Sequence, residues 1–276
     1  MTVFAADTAE FTPDICDTGS VDWSPVASAE AMSSFCGIFA GFVFAGIVMV
    51  IGQKNPQGGD GHASRGLRLL LSSFFGLAVA AYLYALTAGE LVCRRALVEQ
   101  LFAGAILAAD AAVVIAALAW LLLAYQRNGN GEVRFFRRLI LVASIFVLLM
   151  LAVSSVAFQN AWTEREAPWS ADVMIWGIFV LLVGLVVRFW QKPVPSPPAS
   201  APADWAYDTY LNKRVTVSAW TALLVSAVLA AASAYYVGTP PDELDVPWGL
   251  IYTMSAFAIL FPGAIVVTAM RAVPRD

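Results

Sequence analysis

The chain has 276 residues, of which 60% are hydrophobic and only 13% charged, with a mean hydropathy of +0.73. A soluble domain carries about 45–50% apolar and about 25% charged residues, so the composition predicts a polytopic membrane protein. The net charge of −4 hides a segregation of charge along the chain, and nucleic acid is not an expected partner.

The first 31 residues form an acidic tail with Asp7, Glu10, Asp14, Asp17, Asp22 and Glu30. It has no positive n-region, so it does not read as a cleavable signal peptide. A reverse-oriented first span is expected to carry it across the membrane. That span, 32–51, holds Gly37, Gly41 and Ala45 at i, i+4 and i+8. Small residues in this pattern let helices approach closely. Contact within the bundle is the commoner outcome; contact with a partner helix or a second copy is the alternative. Cys36 lies early in this span and reads as a free thiol at lipid level.

The segment GQKNPQGGDG, 52–61, follows the first span and lacks the spacing of a phosphate-binding loop. His62 is the one histidine and falls in what reads as a hydrophilic loop. That nearly removes buried haem, zinc and Ser-His chemistry, which need imidazole inside the fold. Further apolar runs follow at 67–86, 101–123, 139–158, 173–189, 215–237 and 248–270. Each is long enough, or nearly so, to cross about 30 Å of hydrocarbon. Backbone groups in lipid must be satisfied within the segment, so continuous runs of this length are helices. The predicted fold is an all-α membrane protein, a bundle of seven transmembrane helices over 32–271.

Basic residues set the expected orientation. Lys54, Arg65, Arg68, Arg127, Arg134, Arg137, Arg138, Arg188, Lys192, Lys213, Arg214, Arg271 and Arg275 fall on one side of an alternating chain; Arg94, Arg95 and Arg165 fall on the other. The N-terminus is then outside and the short tail 272–276 inside. The inner loop 192–205, KPVPSPPASAPADW, is rich in Pro, Ala and Ser and reads as an extended linker. The expected location is the plasma (inner) membrane, multi-pass, with the lipid bilayer as the principal partner.

The stretch 93–110, CRRALVEQLFAGAILAAD, carries the chemistry. A charged carboxylate in hydrocarbon costs from about 2.5 kcal/mol upward and by default marks a functional site. Glu99 and Asp110 are eleven residues apart, which puts them on one helix face and roughly 16 Å apart along the axis. Glu99 has an ordinary reading, a snorkelling interfacial pair with Arg95. Asp110 should lie near mid-membrane. It reads either as a carboxyl bonded to a neighbouring helix's Ser, Thr or Tyr, or as a relay or ligand contact. Cys16 and Cys93 share the outer side, where a disulfide is expected. Pro262 should kink the seventh span. Tyr82, Tyr84, Tyr235, Tyr236, Trp248 and Tyr252 gather at outer span ends, as an interfacial belt would.

Several of these stretches, in order, resemble microbial (type 1) rhodopsins. Residues 99–110, EQLFAGAILAAD, are similar to that family's third helix with its counter-ion and proton-donor carboxylates. Tyr82-Leu83, Trp220 in VTVSAWTA and Ser255-Ala256-Phe257 resemble its second, sixth and seventh helices. The resemblance implies a pocket formed by Tyr82, Trp220 and Phe257. It breaks at the chromophore: Phe257 stands where the family has its retinal lysine. Lys54, Lys192 and Lys213 all fall in predicted inner loops. No Schiff base can form, so no covalent cofactor is expected, although a non-covalent apolar ligand stays open. Arg95 is offset from the family's arginine, and Ala103 replaces a hydroxyl residue. The implied object is a rhodopsin-like sensor, scaffold or chaperone-like membrane protein. The alternatives are a proton or ion pathway using Glu99 and Asp110, or an accessory subunit of a larger complex. No nucleophile–base pair or metal cluster is legible, so an enzyme is not expected.

Overall fold

A computed structural model describes residues 24–52, 60–125, 130–163, 169–191, 203–238 and 248–272. They form seven helices: α1 Pro25–Gly52, α2 Asp60–Ala88, α3 Cys93–Tyr125, α4 Asn130–Thr163, α5 Trp169–Gln191, α6 Ala203–Gly238 and α7 Trp248–Ala272. All seven are long and apolar enough to cross a membrane, and no strand occurs among the described residues. Most helices overrun the apolar runs that predict them. A helix keeps its own hydrogen bonds beyond the hydrocarbon, so polar ends such as 60–66 and 203–214 continue it. Residues 203–205, expected in the linker, belong to α6.

α3 is the hub. It packs against α1, α2, α4, α6 and α7. Ala103, Ala105, Ala109, Ala112, Ala116 and Ala117 are all fully or almost fully buried. A helix that is apolar on every side belongs in the interior, and small side chains let neighbours approach it closely. α2 packs on α1, α3 and α6, and α7 on α3, α4, α5 and α6. Among the described residues α1 touches only α2 and α3, so α1 and α4 flank α3 without meeting.

The outer surface is apolar. Phe35, Ile38, Phe42, Phe44, Met49 and Ile51 of α1 are more than half exposed. A contiguous patch of that kind does not suit water, whereas a bilayer solvates it. The chain is a multi-pass membrane protein in contact with lipid.

The fold corrects two expectations for α1. Gly37 and Gly41 have nothing within 4 Å of where a Cβ would stand, and Ala45 is exposed. The small-residue stripe therefore faces away from the bundle, and the helix packs inward through Cys36, Ala40, Val43 and Ile47. These four fall at i, i+4, i+7 and i+11, a continuous helical stripe of larger contact area. Cys36 is a free thiol, as expected, but it is fully buried against the bundle and not at the lipid.

α2 and α3 form a tight antiparallel hairpin. Gly89 donates to the Leu86 carbonyl and Glu90 to that of Thr87, closing the turn. The Glu90 carboxylate accepts from the Leu91 and Val92 amides at 3.0 and 3.1 Å, which satisfies free donors ahead of α3. A Cβ on Gly66 would stand 2.8 Å from Leu121 Cδ2 and 3.3 Å from the Ala117 carbonyl oxygen. Glycine is what lets the two helices come this close.

Candidate functional site: the α2–α3 seam

Glu99, Ala103, Ile106 and Asp110 lie along one face of α3 at i, i+4, i+7 and i+11, and all four are buried. The two carboxylates share a face, as their spacing predicts. The face is turned to α2.

Asp110 is wholly enclosed, at 0% exposure. Its carboxyl group fills the space a Cβ would take on Gly76: Oδ1 stands 2.8 Å from that point, and Oδ2 is closer still. Neither oxygen has a hydrogen-bond partner. The hydroxyls of α2 near this level are already used within their own helix, Ser72 and Ser73 donating to the Leu69 carbonyl at 2.8 and 3.0 Å. This corrects the expectation of a carboxyl bonded to a neighbouring hydroxyl. Asp110 faces the bundle and is orphaned there.

Glu99 is 1% exposed, and neither of its oxygens makes a hydrogen bond of good geometry. Thr87 of α2 lies beside it, but the Thr87 hydroxyl donates to the Leu83 carbonyl at 2.9 Å. The expected Arg95–Glu99 pair is not a direct contact, although the Arg95 charge still acts on Glu99. Arg95 Nη1 is instead 3.9 Å from Glu90 Oε1. The Cys93–Ala96 turn begins α3, so Glu90 sits just before the helix and within reach of Arg95, while Glu99 points into the seam.

α6 forms a third wall, since it packs on both α2 and α3. Ser218, Ser226 and Ser233 are buried on it, each with a hydroxyl oxygen that has no partner. Their spacing of eight and seven residues keeps them on one helix face.

A second polar cluster closes the other end of the seam. Arg65 is 1% exposed. Its Nε donates to Asn212 Oδ1 at 2.8 Å, and its Nη2 donates to the Asp208 backbone carbonyl at 3.2 Å and to Asp208 Oδ1 at 3.0 Å. The guanidinium lies 5.0 Å from the centroid of the Trp120 ring. His62 stacks on the same ring at 5.4 Å. The expectation that His62 sits in a hydrophilic loop is therefore wrong. His62 and Arg65 both belong to the first turns of α2, where burial of a long arginine is made tolerable by acceptors on Asn212 and Asp208 of α6.

The implied pocket is not assembled. Tyr82 is 63%, Trp220 60% and Phe257 47% exposed, on α2, α6 and α7 respectively. All three face outward, because the inward faces of these helices are taken by Leu83 and Tyr84, by Ser218 and Ala219, and by Ala258 and Ile259. Cys93 is disulfide-bonded, and Cys16, its expected partner, lies outside the described residues. Among the described residues no group of His, Cys, Asp or Glu could hold a metal ion. Gly76, Thr87, Glu90 and the Arg65–Trp120–Asn212 cluster were not singled out from the sequence. Once α2 and α3 are docked, counting outward from their turn pairs Gly76 with Asp110 and Thr87 with Glu99; the contact of Arg65 with Asn212 on α6 has no such local signal. Comparison with protein-family models, with curated proteins and with solved structures finds no match.

Proposed function

We propose that this membrane protein moves protons through the seam between α2, α3 and α6, with Asp110 as the central relay group and Glu99 as the relay toward the Pro25 end. The observation that carries this reading is the orphaned Asp110 carboxyl, sealed against Gly76 with no partner. A carboxyl kept only for structure is normally hydrogen-bonded when buried. A buried carboxyl that is unbonded at rest has spare capacity to accept or give a proton when water or a hydroxyl reaches it. Ionisable groups inside a membrane are rare and typically serve such pathways.

The seam supplies candidates for the intervening steps. Glu99 and Asp110 are about 16 Å apart along α3, and Trp120, which marks the Arg65–His62 cluster, is about 15 Å further on. Neither gap permits direct transfer. The unpartnered hydroxyls of Ser218, Ser226 and Ser233, joined by transient water, would divide the distance.

The test uses the full chain in sealed vesicles with an entrapped pH dye and an imposed potassium diffusion potential. Wild-type protein should acidify or alkalise the lumen faster than protein-free vesicles. Asp110→Asn should abolish the difference while inserting normally, and Glu99→Gln should slow it. Equal flux in Asp110→Asn and wild type, or no flux above the blank, overturns the reading.

A further inference from the structure

A different face of α3 carries a second feature. Because α1 and α4 flank α3 without touching, a cleft of about 620 Å³ opens between them. Its floor is Leu97, Gln100, Leu101, Gly104 and Ala108 of α3. These follow i, i+3, i+4, i+7 and i+11, a stripe about 145° around the helix from the Glu99–Asp110 face. The cleft is therefore separate from the seam. Leu151, Ala157 and Phe158 of α4 form one wall, Met32 of α1 the other, and Tyr84 of α2 reaches in at the level of Gly104.

We infer that this cleft holds one acyl chain of a glycerolipid, taken from the leaflet at the Pro25 end of the bundle. Four observations choose this occupant. The cleft lies between two membrane-spanning helices and opens sideways, so its mouth faces bilayer hydrocarbon. Its floor runs from Leu97 to Ala108, about 16 Å of helix, which is half of the roughly 30 Å hydrocarbon core and the depth of one leaflet. Its lining is apolar for most of its length, with no charged side chain. Apart from Ser154 and the Tyr84 hydroxyl at the level of Gly104, its polar groups lie at the Pro25 end, where Gln100 Nε2 donates to Ser28 Oγ at 3.2 Å and Ser28 donates to the Pro25 carbonyl at 3.1 Å. A chain with its ester region at Ser28 and Gln100 and its tail toward Ala108 matches that gradient. The volume is also in the range of sites that enclose most of a small ligand.

The cleft is distinct from ordinary lipid contact because it is concave and bounded on three sides. A bound chain should be held longer there than on the open flanks of α6, where Leu224 and Val228 are half exposed or more. The experiment uses phosphatidylcholine with a photoactivatable diazirine midway along one acyl chain, in vesicles containing the full-length protein. After illumination, peptide mass spectrometry should find adducts on Leu97, Leu101 and Leu151 in excess of those on Leu224 and Val228. Filling the cleft with Ala108→Phe should remove that excess. Ala157→Phe, on the exposed wall where folding is not at stake, should do the same. Equal labelling of cleft and α6 overturns the inference. So does an excess that survives both filled variants, or a protein–protein cross-link at Leu101 showing that a second copy occupies the groove.

Discussion

The carboxyl group of Asp110 occupies the space beside Gly76 that any other residue's Cβ would need. The glycine is what admits the carboxyl, and the carboxyl is what forbids a larger residue on α2. Gly76→Ala should therefore destabilise the protein by about 1–3 kcal/mol, the usual cost of overpacking a core. Asp110→Ala in the same chain should recover part of that loss, because contacting residues couple non-additively. Thermal unfolding in detergent reads both effects; additive losses would show that the two residues do not meet.

Asp110 itself has no partner to lose. Asp110→Asn keeps the shape and should leave the melting temperature almost unchanged. Asp110→Leu removes an orphaned polar group that costs about 1–3 kcal/mol when buried, against some crowding at Gly76. A net gain in stability with loss of proton flux is expected. A lower melting temperature for the leucine variant would reveal a hydrogen-bonding partner in the seam.

Arg65 ties α2 to α3 and α6 through acceptors on Asn212 and Asp208 and through the face of Trp120. Arg65→Ala should cost about 2–3 kcal/mol, given the strength of charge-assisted hydrogen bonds and of cation–π contact. Lysine cannot reproduce the planar fork, so Arg65→Lys should rescue little. Asp208, whose side chain is 62% exposed, should matter far less: Asp208→Asn should cost at most about 1 kcal/mol, like other exposed ion pairs. Equal losses for Arg65→Ala and Asp208→Asn would contradict this ranking.

Cys36 is free and fully enclosed between α1 and the rest of the bundle. A maleimide should fail to label it in the folded protein in mild detergent and should label it once the chain is unfolded without reductant. Cys93 is disulfide-bonded and should react only after reduction. Rapid labelling of Cys36 in the folded state would place α1 away from the bundle.

The distribution of basic residues predicts which side each loop faces. A cysteine placed at Arg134 should be reached by impermeant reagent from the cytoplasmic side only, and one placed at Glu164 from the opposite side only. Reversal of both would invert the bundle without changing its fold.

Seven helices and their membrane setting were legible in the sequence because hydropathy over some twenty residues is a property of each segment alone. The shared face of Glu99 and Asp110 was equally legible, since helical periodicity is local. Their surroundings were not. Whether Asp110 meets a hydroxyl or a glycine depends on how α2 lies against α3, and that register comes from the hairpin turn. Gly76 and Asp110 each lie seventeen residues from Cys93, and Thr87 and Glu99 each lie six, so level residues are equidistant from one point. The short connection fixes this symmetry, yet it acts only once both helices are docked. Tyr82, Trp220 and Phe257 show the same limit. An aromatic residue in an apolar helix suits lipid and core alike, so composition does not choose between them. In the sequence Arg65 reads only as one charge on one side of the membrane, whereas its burial is decided by acceptors on α6, more than 140 residues away. The cleft between α1 and α4 belongs wholly to tertiary structure, since it exists only where two helices fail to meet across a third.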